Sequence, residues 1–254
     1  SSVSSIKNIV SVHKPWAIIN AAGYVKLDQA EHERSLCHLG NYTGVKNLAG
    51  ICNQYNVKLV TFSTDQVFDG IKETPYTEED ETCPLNQYGI SKQLAEKFLM
   101  SALPGALIIR TAAFFGPWDQ YNFAHQCLWQ LSKGKRFYAS NQHFISPTYV
   151  PHLAHAALDL LIDEARGIYH LTNKGCETWF SFAEKLADKF GFDKDLIQPG
   201  TDESAPARRP CFAAMESTKY GLMPTLDAAL NEYKQAVHAL FDKPRKKNTL
   251  YERI

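Results

Sequence analysis

The chain alternates between short, continuous apolar runs and longer segments in which apolar residues recur at helical spacing. Continuous runs predict buried parallel strands, and helical spacing predicts amphipathic helices. Strands alternating with helices are typical of an α/β protein with a parallel sheet. The runs predict strands over 16–20, 57–65, 106–111 and 167–171. The spacing predicts helices over 1–14, 41–53, 88–101, 123–131, 150–165 and 178–190, with a polar helical segment over 28–33.

The predicted strand over 57–65 ends in three small polar residues, Ser63, Thr64 and Asp65. The carboxyl end of a strand is where open α/β sheets bind ligands. At the start of the next long helix, Tyr88 and Lys92 are four residues apart and therefore share a helical face. We expect a hydroxyl of Ser63 or Thr64 to meet Tyr88 across one crevice.

The spacing of Tyr88 and Lys92 suits one kind of chemistry. A cation beside a phenol stabilises the phenolate and lowers the pKa, so the hydroxyl can donate a proton near neutral pH. Such a donor fits protonation of a carbonyl oxygen while a hydride arrives at its carbon. By itself the pair also fits a surface lysine beside a half-buried tyrosine, so its meaning depends on the neighbouring strand end.

Three motifs resemble one superfamily. They are Ile19-Asn-Ala-Ala-Gly-Tyr24, Ser63-Thr-Asp-Gln-Val-Phe-Asp-Gly70 and Pro84-Leu-Asn-Gln-Tyr-Gly-Ile-Ser-Lys92. The chain resembles the extended short-chain dehydrogenases/reductases and, within them, the dTDP-4-dehydrorhamnose reductase family, from about residue 6 to about residue 240. The resemblance implies a Rossmann-like, doubly wound parallel sheet with a small C-terminal substrate-binding lobe. Residues 1–140 would form an N-terminally incomplete dinucleotide-binding portion, and 141–254 mainly the substrate lobe, with elements returning to the main domain.

The same resemblance implies an oxidoreductase that uses NADPH or NADH to reduce C4 of a 4-keto sugar nucleotide, as in dTDP-rhamnose biosynthesis. Tyr88 would donate the proton, Lys92 would lower its pKa and bind the nicotinamide ribose, and Thr64 would hydrogen-bond the carbonyl oxygen. Asp65 would help to hold the sugar or a catalytic water. The implied cofactor-binding residues are Ala21, Ala22, Gly23, Asn41, Ser63, Tyr88 and Lys92. The implied substrate-binding residues are Thr64, Asp65, Gln66, Tyr88, Ala113 and Arg209.

The chain departs from the family at two aromatic positions. Gln66 stands where the family has tyrosine, and Ala113 stands where an aromatic usually follows the strand end. Losing aromatic contacts changes the packing offered to a sugar or a base. The exact sugar therefore stays open. In the loop over 206–210, Arg208 and Arg209 are suited to grip a diphosphate through charge-assisted bonds, or are simply exposed loop arginines.

A glycine-rich turn for the pyrophosphate is the feature this fold would lead us to expect near its start. No G-x-G-x-x-G run occurs anywhere in the sequence. We expect these residues to be part of a longer chain rather than a protein that has discarded its pyrophosphate site. The residues that select NADH or NADPH follow the missing second strand, so the choice between the two stays open.

Composition excludes several other classes of function. With 27 basic and 27 acidic side chains, the formal net charge is zero, so no overall attraction to nucleic acid or to a membrane is expected. The six cysteines form no Cys-x-x-Cys pair, which predicts reduced thiols and a cytoplasmic location. His152, His155 and Asp159 could share a helix face but lack a recognised zinc spacing, so no metal is predicted. A homodimer is possible.

Two other functions compete with the reductase. A non-catalytic nucleotide-binding or regulatory subunit, similar to the reductase-like regulatory subunit of methionine adenosyltransferase, is favoured by the missing glycine loop and by Gln66 and Ala113. The intact Thr64, Tyr88 and Lys92 favour the enzyme. An epimerase or dehydratase of the same superfamily is less favoured, because no glutamate adjoins Ser63-Thr64-Asp65 to abstract a sugar proton.

Overall fold

The structure is a computed structural model that describes residues 3–200 and 205–241. In these ranges the helices are α1 Val3–His13, α2 Leu27–Ala30, α3 Arg34–His38, α4 Gly44–Tyr55, α5 Gln87–Ala102, α6 Phe123–Leu131, α7 Val150–Ile162, α8 Trp179–Phe190 and α9 Leu226–Phe241. The strands are β1 Ala17–Asn20, β2 Lys58–Thr64, β3 Leu107–Thr111, β4 Phe114–Phe115, β5 Phe137–Ser140, β6 Phe144–Ile145, β7 Thr148–Tyr149, β8 Gly167–His170, β9 Glu177–Thr178 and β10 Ile197–Gly200.

The central sheet has the order β1-β2-β3-β8, and every pairing in it is parallel. All five residues of β3 are buried, as expected for a strand covered on both faces of a parallel sheet. The register pairs Ser63 with Arg110 and Thr64 with Thr111, so the polar ends of β2 and β3 lie side by side.

Helices cover both faces of this sheet. On one face, α1, α4 and α5 pack against β2 and β3 in a core that includes Val10, Leu59, Leu99 and Ile108. On the other face, α7 packs against Val60, Leu107 and Ile109. The sequence prediction of an α/β, Rossmann-like, doubly wound parallel sheet is confirmed. No helix of the described ranges is long and apolar enough to cross a membrane.

A second core lies beside the sheet. It joins α6, α8 and α9 to the short strands around Phe115, and its largest buried side chains include Phe182 and Tyr233. Strand β10 pairs in parallel with β5, which brings residues 197–200 back to this core. Because α6 and β5 also belong to it, the division of the chain at residue 140 stays a prediction.

Most predicted elements differ from the observed ones only at their ends, and α6 has the predicted bounds. The segment predicted as helix from 41 is an exception, since it begins inside a π-helical turn, Leu39–Thr43, before α4 continues to Tyr55. The polar segment predicted over 28–33 is divided between α2 and the turn before α3. Residues 1–2 and 242–254, predicted as a helix start and a frayed tail, lie outside the described residues.

The histidine-bearing face of α7 holds no group suited to a metal. His152 is buried, with Nε2 lying 3.0 Å from a carboxylate oxygen of Glu232 and Nδ1 lying 2.9 Å from the Asn173 amide nitrogen. His155 and Asp159 are exposed on the same helix. Within the described residues, no three His, Cys, Asp or Glu side chains are grouped as metal ligands would be. All six cysteines are free thiols.

Candidate active site

The first turn of α5 lies directly against the turn that follows β2. Asn86 caps the helix by accepting a hydrogen bond from the Gly89 backbone N–H at 2.8 Å. A Cβ at Gly89 would lie 2.1 Å from the Gln66 carbonyl oxygen, so only glycine allows this approach. The Asn86 amide also donates to the Gln66 side chain at 3.2 Å. These contacts bring Tyr88, one residue before Gly89, to the end of β2.

Thr64 and Asp65 form the centre of the site. The Thr64 hydroxyl donates to Asp65 Oδ1 at 2.9 Å and accepts the Gln66 backbone N–H at 3.2 Å. The Gln66 side-chain amide donates to the other carboxylate oxygen of Asp65 at 3.2 Å. Asp65 is 7% exposed, and its burial raises the pKa of the carboxyl to about 6 although both hydrogen bonds act to lower it.

Tyr88 faces this pair from α5. Burial raises the pKa of the Tyr88 phenol above its ordinary value, while a hydrogen bond with the Thr64 hydroxyl acts to lower it and the nearby charge of Asp65 acts to raise it. The sequence-based expectation that the Tyr88 pKa is lowered is therefore wrong for the chain by itself, because desolvation outweighs the other effects. A phenol with a raised pKa keeps its proton at neutral pH, so the proton is still available for transfer.

Lys92 lies near the ring of Tyr88. Its Nζ is 5.8 Å from the centre of the Tyr88 ring and donates to the Phe62 carbonyl at 3.1 Å. Burial lowers the pKa of the Lys92 ammonium to about 8, partly offset by the charges of Cys37 and Glu96. The ammonium is therefore mostly charged at neutral pH and is held by the strand that carries Thr64.

The turn after β1 passes close to this ammonium. Ala21, Ala22 and Gly23 are exposed, and a Cβ on Gly23 would lie 3.5 Å from Lys92 Nζ and 2.9 Å from the Asn41 side-chain oxygen. A larger residue at 23 would therefore displace the Asn41 amide. The three predicted cofactor residues form an open ledge beside Lys92, where a flat ligand can approach the backbone.

Asn41 holds this ledge through the backbone of Tyr24. Its side-chain oxygen accepts the Tyr24 N–H at 2.8 Å, and its amide donates to the Tyr24 carbonyl at 3.0 Å and to the Ser91 hydroxyl at 3.0 Å. Cys37 is 3.3 Å from the same hydroxyl. Sequence reasoning missed the contribution of Ser91 and Cys37. The available signal was the position of Ser91 next to Lys92 in the quoted motif.

A buried ion pair fixes the middle of α5 to the sheet. Arg110 of β3 donates from Nε and Nη2 to the two carboxylate oxygens of Glu96, at 2.9 and 2.8 Å, and both side chains are 4% exposed. His170 of β8 lies 3.3 Å from Arg110 Nη1. Burial and the Arg110 charge lower the pKa of His170 to about 4, so its ring is neutral at neutral pH. The sequence motifs indicated no role for Glu96, Arg110 or His170.

The sequence is similar to those of known proteins along most of its length. The family described as RmlD substrate binding domain matches residues 1–245. The chain belongs to the RmlD substrate binding domain family. It is 34% identical over 236 residues to dTDP-4-dehydrorhamnose reductase from Aggregatibacter actinomycetemcomitans, a match covering 86% of this chain and 80% of that protein. It is 31% identical over 232 residues to the enzyme of the same name from Escherichia coli K12, covering 87% of this chain and 77% of that one.

Solved structures of the same kind share the fold. The crystal structure of dTDP-4-dehydrorhamnose reductase from Bacillus anthracis in complex with NADP superposes with a TM-score of 0.86 at 29% identity, covering 91% of this chain and 84% of that one. A dTDP-glucose 4,6-dehydratase from Streptomyces venezuelae with NAD bound has a TM-score of 0.76 at 17% identity and so supports the fold alone.

Arg209, which was predicted to bind the substrate, is held by a carboxylate of the chain itself. Its guanidinium is paired with Asp28, at 3.1 Å from Oδ1 and 2.9 Å from Oδ2, and this pairing lowers the pKa of Asp28. Arg208 is exposed, and its carbonyl accepts the Asn86 amide at 2.9 Å. The arginine loop is therefore attached beside the start of α5, but Arg209 binds a carboxylate there.

The two positions that depart from the family pattern have different surroundings. Gln66 is engaged by Asp65 and Asn86. Ala113 is half-buried, adopts a left-handed φ of 43° and packs beside the buried cluster of Phe68. Just after it, a small, mainly apolar pocket is lined by Phe114, Phe115, Gly116, Trp118, Asp119, Asn122 and Val150.

Proposed function

We propose that this chain reduces a 4-keto sugar nucleotide with NADPH or NADH, converting dTDP-4-dehydro-L-rhamnose to dTDP-L-rhamnose. One observation carries the proposal: at the carboxyl end of β2, the Tyr88 phenol is hydrogen-bonded with Thr64, and its ring centre is 5.8 Å from Lys92 Nζ. The names of the relatives and the NADP bound to the Bacillus anthracis structure support the same choice.

The residues present fit the nicotinamide end of such a cofactor. Ala21 to Gly23 form an open ledge, and the Ser63 hydroxyl is buried with no hydrogen-bond partner among the described residues. Lys92 would bind the nicotinamide ribose, and Asn41 would keep the ledge in position through Tyr24. When bound, the reduced nicotinamide supplies a hydride to C4 of the sugar.

The chain supplies the proton and the stabilisation of negative charge. Tyr88 gives its proton to the carbonyl oxygen as the carbon–oxygen double bond becomes a single bond. The Thr64 hydroxyl donates a hydrogen bond to the same oxygen, and one such donor in a site shielded from water is worth on the order of 3–4 kcal/mol. Lys92 keeps a positive charge beside the developing phenolate. Asp65 is hydrogen-bonded to Thr64, which supports a role next to the sugar carbonyl.

A direct assay tests the proposal. Purified protein is mixed with dTDP-4-dehydro-L-rhamnose and NADPH or NADH, and loss of nicotinamide absorbance is followed together with the mass of the product. We expect a product two hydrogens heavier than the substrate, formed in step with cofactor oxidation. Binding of both ligands without turnover would overturn the proposal.

A binding role without catalysis is the second candidate. Two observations favour it. Arg209 is paired with Asp28, and Gln66 replaces the tyrosine of the family, so two protein contacts expected with a sugar nucleotide are lost. Under this alternative, the protein binds a dinucleotide or sugar nucleotide in a titration, yet the assay gives no product. Formation of the reduced product therefore distinguishes the two candidate functions.

We propose a cytoplasmic location, supported by the six free thiols. We also propose that residues after about 140 mainly contact the sugar nucleotide. Light scattering on the purified protein would decide whether it is a homodimer.

A further inference from the structure

The Thr64 hydroxyl is hydrogen-bonded to two acidic side chains. It donates to Asp65 Oδ1 at 2.9 Å, and it makes a hydrogen bond with the Tyr88 phenol. A third group, the Gln66 backbone N–H, donates to the same oxygen at 3.2 Å. Tyr88 and Asp65 are therefore linked through one oxygen atom.

The number of protons on that oxygen restricts the arrangement. A hydroxyl has one proton and two acceptor lone pairs, and the Gln66 N–H occupies one lone pair. The remaining lone pair and the single proton must serve Tyr88 and Asp65, one as donor and the other as acceptor. If Thr64 gives its proton to any third group, Asp65 can keep its hydrogen bond only by donating to Thr64, which requires a protonated carboxyl.

We infer that Asp65 is a positioning residue that takes up a proton when the substrate carbonyl binds, so that the Thr64 proton is released to that carbonyl oxygen. The inference rests on the proposed reduction and adds a role that Asp65 performs through Thr64. Oδ1 is the oxygen that takes the proton, because Oδ2 already accepts the Gln66 side-chain amide at 3.2 Å.

The protons balance over one turnover. One proton moves from solvent to Asp65 as the ketone binds. Hydride from the reduced nicotinamide and the proton of Tyr88 then convert the ketone to an alcohol and leave a phenolate. Thr64 passes its proton to the phenolate and takes the proton of Asp65. The cycle ends with neutral Tyr88 and ionised Asp65, having consumed the one proton that a ketone reduction requires.

The surroundings suit this exchange. Asp65 is 7% exposed, and its burial raises the pKa of the carboxyl to about 6, so the neutral form costs little near neutral pH. The other ionisable groups around the pair are Lys92 on α5 and Cys37 on α3. Cys37 acts electrostatically on both Tyr88 and Lys92, and neither Cys37 nor Lys92 is among the groups that shift the pKa of Asp65.

Proton uptake tests the inference without turnover. The 4-keto sugar nucleotide is titrated into protein saturated with NADP⁺, which cannot reduce it, in two buffers of different ionisation enthalpy. At about pH 8 the wild type should take up close to one proton per ligand bound, because Asp65 starts ionised. Asp65→Asn should take up none. Asp159→Asn, which makes the same charge change on the exposed face of α7, should behave as the wild type.

The pH dependence gives a second readout. Wild-type kcat/KM should fall as pH rises above about 6, approaching about tenfold per pH unit, because binding then requires protonation of Asp65. In Asp65→Asn this slope should vanish, since the amide donates to Thr64 at every pH. The same slope and the same uptake in both proteins would overturn the inference.

The outcomes separate the inference from the proposed function. A wild type that reduces the keto sugar, with uptake unaffected by Asp65→Asn, contradicts the inference alone. A wild type that neither binds nor reduces the keto sugar overturns the proposed function and the inference together. If Asp65→Asn does not fold, the wild-type measurement decides, because uptake should disappear when pH falls well below about 6.

Discussion

At the scale of single residues, the site combines a protonated donor with a charged neighbour. Burial keeps the proton on Tyr88, and the Lys92 ammonium is anchored to β2 through the Phe62 carbonyl. Desolvation thus keeps Tyr88 protonated, whereas a backbone contact holds the Lys92 ammonium in place. Substitutions at Tyr88 and Lys92 should therefore have separable effects on chemistry and on cofactor binding.

Removing the Tyr88 hydroxyl should stop the chemistry and leave binding nearly intact. Tyr88→Phe should lower kcat by at least about 100-fold, the usual contribution of a positioned proton donor, with dinucleotide affinity changed little. Steady-state kinetics and a fluorescence titration measure the two effects. Tyr55→Phe, at the end of α4, is the matched control and should match the wild type. Wild-type turnover in Tyr88→Phe would refute the donor role.

Removing the arginine side chains beside α5 should weaken substrate binding. The double change Arg208→Ala and Arg209→Ala should raise KM for the sugar nucleotide about tenfold, because it removes the two guanidiniums that we expect to bind the diphosphate. Asp28→Asn is the informative companion because it frees Arg209 from its carboxylate, and KM should then stay level or fall. If the double change leaves KM unaltered, both arginines are ordinary loop residues.

At the scale of elements, α5 is the part on which the site depends. Its first turn packs against the Gln66 carbonyl, and its middle is held by the Glu96–Arg110 ion pair. Its capping residue, Asn86, donates a hydrogen bond to the Arg208 carbonyl in the loop over 206–210. A helix fixed at several points cannot slide without breaking several contacts. Small changes at its start should therefore be costly.

Gly89→Ala tests that rigidity. The added Cβ would lie 2.1 Å from a backbone oxygen, so α5 must move away and carry Tyr88 with it. We expect a lower Tm and a strongly reduced kcat. Gly50→Ala, on the exposed side of α4 with no atom within 4 Å of the new Cβ, should instead stabilise the protein by up to about 1 kcal/mol. A Gly89→Ala protein with normal kcat would show that α5 has room to adjust.

The sequence was sufficient to predict the helices, the strands and the polar strand end beside Tyr88, because the periodicity of apolar residues in strands and helices is a local signal. It was not sufficient for Arg209, whose partner Asp28 is 181 residues away. Nor could it give the direction of the Tyr88 pKa, because burial depends on packing by several distant segments. The π-helical turn containing Asn41 has no distinct period, so helix 41–53 was predicted to start there. The roles assigned to the site residues stay predictions.

At the scale of the whole molecule, two buried groups have opposite effects on the pH dependence of stability. His170 has a pKa of about 4 in the fold against an ordinary 6.5, so the unfolded chain binds more protons between these values and stability rises with pH. Asp65 has a pKa of about 6 against 3.8, so the fold binds more protons there and stability falls with pH. Each amounts to about 3 kcal/mol, and the two nearly cancel.

Asp65→Asn should expose the contribution of His170. The free energy of unfolding of this variant should rise by about 2 kcal/mol from about pH 4.5 to 6.5, whereas that of the wild type should stay nearly level. Urea unfolding at several pH values measures both. His170→Asn should show the reverse slope. If the free energies of unfolding of the wild type and Asp65→Asn change with pH in parallel, the pKa of the Asp65 carboxyl is not raised in the fold.

The bond from Asn86 to the Arg208 carbonyl joins residues 122 positions apart, and it sits on the cap of the catalytic helix. During synthesis, the ribosome releases the cap long before its acceptor exists. The nascent chain can fold most of the sheet with α5 in place, but the start of α5 remains incomplete until the arginine loop emerges. A newborn chain should therefore acquire sugar-nucleotide affinity late and abruptly, well after its central sheet resists proteases.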